Sequence, residues 1–348
     1  MGRPYDAGTS TTGGAVEQVT ISKPTGGAGP PGTGSFEPAQ RLVAQLDSVV
    51  LGSPGSVQLA VAAFLAGGHV LFEDVPGVGK TVLAKALARS IGGSSGRVQG
   101  TPDLLPSDLT GVSVYHDDSH DWVFQPGPLF NHVVVVDELN RATPRTQSAL
   151  LEAMAERQVS VDGTTHPLPE PFFVVATQNP QGDSGTFPLV AGQRDRLAVS
   201  LSLGLPGRAA ERALVRGAGG EPLLAGLVPV APLETWVDLR ARLDTSVHLH
   251  ETVVEFALDL VDAVRRRVGH DSPLSTRAAL ALARLARANA AVAGRDYVAP
   301  DDVQHVAIAV LAHRIVDATQ GHLPTARHVV DEVVRSLPVP PRPADLRA

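Results

Sequence analysis

Cysteine is absent from the 348 residues, which excludes disulfides and cysteine-ligated zinc. Lysine is nearly absent: Lys23, Lys80 and Lys85 are the only ones in a chain that otherwise takes its positive charge from arginine. No uninterrupted apolar stretch approaches the roughly 18 residues a membrane-crossing helix needs, and the N-terminal residues lack the basic-then-apolar order of a signal peptide. The cytoplasm is therefore the expected location. Positive charge is short overall, with Lys+Arg 29 against Asp+Glu 36, a net charge of −7 and a pI near 5.9. Such a balance gives the chain no general basic footprint for nucleic acid. The length predicts about two domains on a prior of roughly 100–200 residues each.

Residues 1–36 are rich in Gly, Ser, Thr and Pro and hold too little apolar material to offset the entropy of ordering, so they read as a flexible tail. From Pro38 to Ala66 the apolar positions predict two helices broken by Gly52-Ser53-Pro54-Gly55. Short β-type runs follow at Val70–Phe72, Val133–Val136 and Phe172–Ala176, with period two at Val199-Leu201-Leu203 and a weaker run at Arg97–Gln99. Helical patterns lie between most of them, which predicts an α/β fold with a mostly parallel sheet. Among these helices, Thr143 suits an N-cap, Pro144 the first helical position, and Leu150, Ala153 and Met154 one buried face. The boundaries read as an α/β unit over 37–206, a helical unit over 207–337 and a frayed proline-rich end over 338–348.

The lysine at position 80 falls in Asp74-Val75-Pro76-Gly77-Val78-Gly79-Lys80-Thr81, between the run ending at Phe72 and a helical pattern opening at Val82. This is a phosphate-binding loop in outline. A strand feeds a glycine turn whose backbone N–H groups can face phosphate oxygens, and the turn opens onto a helix N-terminus that favours an anion. Residues 75–82 are the expected nucleotide contacts, with Lys80 reaching the β- and γ-phosphates and Thr81 ligating magnesium. Asp74 stands where the general pattern has glycine. A second signal is Val133–Val136 followed by Asp137 and Glu138, an apolar strand delivering two carboxylates at its C-terminal end, where open α/β sheets bind ligands. Beside a phosphate loop, Asp137 suits the magnesium water shell and Glu138 the polarising of an attacking water. A third strand ends in Thr177-Gln178-Asn179-Pro180, and an amide there could orient the water or touch the γ-phosphate.

Taken in this order, the loop, Asp137-Glu138 and Asn179 resemble the AAA+ ATPases, and the surrounding phrases resemble the MoxR family within them. Those phrases are Gly67 to Thr81, Asp137-Glu138-Leu139-Asn140-Arg141-Ala142, Gln147 to Met154 and Ala176 to Pro180, then Ser275-Thr276-Arg277-Ala278, Gly294-Arg295-Asp296-Tyr297-Val298 and His313-Arg314-Ile315. Asp74 in place of the first glycine is itself familiar in that family. The resemblance covers about residues 38 to 318.

It implies a core sheet of order 5-1-4-3-2 with helices on both faces, a small helical lid, assembly into a hexameric ring, and ATP and magnesium as cofactors. Hydrolysis would then sit between subunits and drive chaperone-like remodelling of a partner protein, in this family often one with a von Willebrand factor A domain. Asn179 matches the sensor-1 position and Arg277 the sensor-2 position. The arginine finger falls in Arg194-Asp195-Arg196-Leu197, where Arg196 keeps the aligned position and Arg194 offers a second guanidinium. Ala191-Gly192 replaces the Glu-Ala pair usual just upstream. Two segments, about Leu109–Phe124 and Gln158–Leu168, match β-hairpin insertions that line a pore or touch a client in related assemblies. The run His116 to Asp121 within the first reads as a solvated hairpin tip rather than a metal cluster. A nucleic-acid motor and a nucleotide-switched scaffold with little turnover are the alternatives; the acidic balance weighs against the first and Glu138 against the second.

Overall fold

The computed structural model describes residues 36–118, 120–178, 185–269, 272–319 and 321–341. The first half of the chain runs α1 (Glu37–Asp47), α2 (Pro54–Leu65), β1 (Val70–Glu73), α3 (Lys80–Ser90), β2 (Ser95–Gln99), α4 (Pro106–Thr110), β3 (Gly111–His116), β4 (Asp121–Pro126), β5 (Val133–Asp137) and α5 (Pro144–Glu156). Next come β6 (Gln158–Val161), β7 (Thr164–Pro167), β8 (Phe173–Gln178), α6 (Ala191–Arg194) and β9 (Val199–Leu201). Among the described residues the elements that follow are helices: α7 (Arg208–Val215), α8 (Leu233–Ser246), α9 (Glu251–Val268), α10 (Thr276–Val292), α11 (Pro300–Leu311) and α12 (Leu323–Ser336), with short 3-10 turns between some of them and one isolated bridge, His248 to Tyr297.

Five strands form one parallel sheet in the order β2-β5-β8-β1-β9. Counting only these five in chain order, this is the expected 5-1-4-3-2. Their side chains alternate between two apolar layers. Phe72, Val133, Val135, Phe173, Val175 and Leu201 face α1, α2, α3 and the later helices, while Leu71, Val134, Val136, Val174 and Ala176 face α5. Burial on both faces is why these strands read as continuous apolar runs. The first layer continues without a break into Leu260, Leu285 and Val310, so the sheet and the C-terminal helices share one core. Among the described residues no helix is long and apolar enough to cross a membrane.

Several sequence expectations shift on inspection. Pro54 and Gly55 lie in the first turn of α2 rather than in the break, since proline's fixed φ suits a first helical position. The predicted alternation at Val199-Leu201-Leu203 ends at Leu201, and Ser200 between them is buried, its hydroxyl donating to Glu73. Phe36, read as the end of the tail, packs in the core at 4% exposure. The remainder of the tail lies outside the described residues. The cap at Thr143 is present, its Oγ1 accepting from Thr146 N–H at 3.4 Å, and Leu150, Ala153 and Met154 are buried. Both predicted hairpins form, β3–β4 and β6–β7, the second around Asp162-Gly163 with φ of 50° and 77°. Positive φ at both turn residues matches the twist of the flanking strands.

Candidate functional site

β1 and β5 flank β8 in the parallel sheet, so the segments leaving them emerge at the same edge of the sheet. The segment after β1 is the glycine turn. Gly77 and Gly79 adopt φ of 86° and 103°, a region that L side chains rarely enter, and each has open space where a Cβ would be. Their requirement is conformational rather than one of room. Gly79 caps α3, so the first free N–H groups of that helix face the turn. Val75, Pro76 and Gly77 are exposed, whereas Val78 and Val82 pack partly on the core and anchor the turn. Lys80 is buried and curls back, its Nζ donating to the carbonyls of Asp74 at 2.9 Å and Val75 at 3.1 Å. Burial pulls its pKa below the usual lysine range, opposed by the carboxylates of Asp74, Asp137 and Glu138.

Asp74 borders the cleft, but its side chain is engaged by the end of β9. Its carboxylate accepts from Ser202 Oγ at 2.6 Å, Leu203 N–H at 2.7 Å and Gly204 N–H at 3.2 Å, and so ties the turn to the end of β9.

Across the cleft, Asp137 is 8% exposed. Its carboxylate accepts from Arg97 Nε at 2.8 Å and from Thr177 Oγ1 at 3.4 Å. Glu138 sits at φ 54°, an uncommon conformation for a residue with a Cβ and of the kind that clusters at functional sites. Its N–H donates to Thr177 Oγ1 at 3.0 Å, and its carboxylate pairs with Arg141 at 3.1 Å. Gly100 lies directly behind. A Cβ there would stand 2.2 Å from the Glu138 carbonyl oxygen, and Gly100 N–H donates to the Asp137 carbonyl at 2.6 Å. Together the turn, Lys80, Thr81, Asp137, Glu138, Thr177 and Gln178 line a cleft of about 300 Å³. Arg97 and Gln99 also line it. The sequence reading did not select them, because β2 was its weakest strand and only the register, Gln99 beside Asp137, puts that strand's side chains at the site.

Of the remaining expected site residues, the described ones, Arg277 and Arg196, do not line the cleft. Asn179 lies outside the described residues. Arg277 is exposed and not among the cleft's lining; it pairs with Asp195 at 3.8 Å. Between the two arginines considered for the finger the structure makes a clear distinction. Arg194 is 7% exposed and ion-paired to Asp317, whereas Arg196 is exposed in an open concavity of about 690 Å³. Asp195 between them accepts from Arg314 Nε and from Ser275 Oγ, both at 2.9 Å. Arg314 also donates to the carbonyls of Leu197 at 2.8 Å and Ala198 at 3.1 Å, and His313 Nε2 lies 3.1 Å from Leu197 O. The segment carrying Arg196 is thereby fastened to the turn after α11. In the β3–β4 hairpin, His120 Nδ1 lies 3.2 Å from the Tyr115 hydroxyl, and no group of three His, Asp or Glu side chains suited to a metal occurs among the described residues.

Comparison with known proteins fits this geometry. The family described as ATPase family associated with various cellular activities (AAA) matches residues 69–199, and the AAA lid domain matches residues 272–334. The chain is 40% identical over 302 residues to the uncharacterized protein YeaC of Bacillus subtilis, covering 86% of this chain and 94% of that one. It is 34% identical over 347 residues to the chaperone MoxR1 of Mycobacterium tuberculosis, covering 96% of this chain and 90% of the relative. The solved structure of a candidate ATPase from Cytophaga hutchinsonii superposes with a TM-score of 0.77 at 31% identity, over 88% of this chain and 96% of that one.

Proposed function

Because the chain belongs to the MoxR family of AAA+ ATPases, we propose that it hydrolyses ATP with magnesium in the cleft between the glycine turn and Asp137-Glu138, and couples that turnover to remodelling a partner protein. The observation that carries this reading is the facing pair: a glycine turn with a buried lysine on one side, and two carboxylates on the other, of which Glu138 is held at positive φ. The donor set suits magnesium, which takes one or two carboxylates and the nucleotide's own phosphates rather than a protein cage. Thr81 and Asp137 would hold the ion, and when bound it supplies charge neutralisation at the phosphates. Lys80 and the turn's N–H groups bind the phosphates, and Glu138 takes a proton from water as it attacks. Asn179, from its place after β8, orients that water.

Arg277 pairs with Asp195, the residue before Arg196; we read Arg196 as a finger toward nucleotide held by a neighbouring subunit of a homo-oligomeric, hexameric ring, and Arg277 as the lid residue that senses the γ-phosphate. The relative named as a chaperone supports a protein client; we place that client in the cytoplasm, among the proteins with a von Willebrand factor A domain that are often partners in this family. The exposed Tyr115–Trp122 pair of the β3–β4 hairpin, its rings 5.5 Å apart and Trp122 71% exposed, is a surface fit for such a contact.

The test separates binding from turnover. Lys80→Ala should weaken ATP binding, whereas Glu138→Gln should retain bound ATP and lose hydrolysis. Parental hydrolysis by the Gln variant would sink the role given to Glu138, and strong salt-sensitive stimulation by DNA would favour a nucleic-acid motor instead.

A further inference from the structure

Where β1 and β8 begin, at the opposite end of the strands from the nucleotide cleft, three arginines from separate elements surround a second cavity. Arg157 caps the C-terminus of α5, Arg240 lies in α8 and Arg284 in α10. With Glu170 and Phe172 they line a space of about 150 Å³. A liquid water takes about 30 Å³ and small-molecule sites run to about 300 Å³ and above, so this space suits a small ion and its few waters rather than a nucleotide.

Charge in the cavity is unbalanced. Arg157 pairs with Glu170 at 3.6 Å, and Arg284 reaches Asp244 only at 3.9 Å while its Nε is buried without a hydrogen-bond partner. Arg240 has no ion pair among the described residues; its guanidinium lies over the Phe64 ring at 5.4 Å, and Nη2 donates to the Phe172 carbonyl at a long 3.5 Å. Gly67 marks how closely the cations approach. A Cβ built there would stand 3.2 Å from Arg240 Nη2 and 3.3 Å from Arg157 Nη2, so the two nitrogens are at most 3.2 plus 3.3, or 6.5 Å, apart. Three guanidinium groups against the single carboxylate of the lining leave an excess of two positive charges. Burial, then the charge of Arg157, pulls Arg240 down to about 10, a sign of how poorly its charge is compensated.

We propose that this cavity is a binding site for a small multivalent oxyanion of the phosphate class, held between Arg240 and Arg157 with Arg284 at its side. Guanidinium groups match such an ion because their planar donors reach two oxygens at once. The ion neutralises the excess charge and joins the entry to β8 with α8 and α10, so its occupancy stiffens the seat of these helices on the sheet.

The probe is inorganic phosphate. Equilibrium dialysis of full-length protein carrying Lys80→Ala, which disables the glycine turn, against labelled phosphate at ionic strength fixed with chloride should show saturable binding of one phosphate per chain. Adding Arg240→Gln should weaken that binding by on the order of tenfold or more, the scale of a lost charge-assisted hydrogen bond. Adding Glu170→Gln should tighten it, because the one carboxylate in the lining repels the ligand. If Arg240→Gln does not fold, Arg284→Gln applies the same test from another wall of the cavity. Absence of saturable binding, survival of full affinity in the arginine variants, or weakening by Glu170→Gln overturns the proposal.

Discussion

Asp74 occupies a position where the general phosphate-loop pattern has glycine, and its three hydrogen bonds to Ser202, Leu203 and Gly204 account for the carboxylate there. Asp74→Ala leaves the buried Leu203 N–H without its acceptor, and urea unfolding should show a loss of about 1–3 kcal/mol. An unchanged midpoint would mean that water replaces the carboxylate at no cost. His69, buried just before β1, gives a pH signature. Its Nδ1 accepts from Val174 N–H at 3.0 Å and its Nε2 faces the Met154 carbonyl at 3.3 Å, the arrangement of a neutral ring. Burial holds its pKa down to about 3 from an ordinary 6.5. Between those values the unfolded chain binds a proton that the folded chain refuses, so stability is full above about pH 6.5 and falls as pH drops, by roughly 1.4 kcal/mol per pH unit for one such group. His69→Gln should flatten the dependence of urea unfolding on pH between 6 and 5 by about that slope; an unaltered slope would contradict a neutral buried ring. At this scale Lys80, Thr81, Asp137 and Glu138 were legible in the sequence because each sits at a fixed spacing from a strand end. Arg97 and the acceptor role of Asp74 were not, since both depend on which strand lies beside which.

The sheet's alternation of apolar layers is local chemistry, and the runs at 70–72, 133–136 and 172–176 carry it in the sequence itself. The order of strands and the fastening of one element to another are set by tertiary contact. Gly100 shows the difference. Nothing in Gln99-Gly100-Thr101 marks it as part of the site, yet the loop leaving β2 passes so close to the Asp137-Glu138 backbone that a Cβ would overlap the Glu138 carbonyl. Gly100→Ala should therefore displace Glu138, cutting turnover far more than ATP affinity while the thermal midpoint moves only modestly. Equal losses in affinity and turnover would show that the loop acts on the glycine turn instead. Two phrases in the helical half have structural partners of the same kind. Arg295 donates to both carboxylate oxygens of Asp302 at 2.6 Å, and Arg314 grips residues 195–198. A motif read along the chain names such residues without revealing what they hold.

Across the whole molecule, the proposed catalytic machinery is divided between two surfaces. Lys80, Asp137 and Glu138 face the cleft, whereas Arg196 stands exposed in a separate concavity, on a segment joined through Asp195 to the helical part. On the proposed reading, Arg196 serves the cleft of a neighbouring subunit rather than its own. Arginine fingers contribute roughly 10³–10⁵ in turnover where the effect has been measured in GTPases. Arg196→Ala should cripple hydrolysis with ATP affinity little changed, while Lys80→Ala removes binding. The most direct test mixes the two inactive proteins and measures steady-state ATP hydrolysis alongside demonstrated co-assembly. Activity should reappear in the mixture, because some interfaces then join an intact Lys80 cleft to an intact Arg196. No recovery at any mixing ratio, with co-assembly established, would contradict a site completed between subunits.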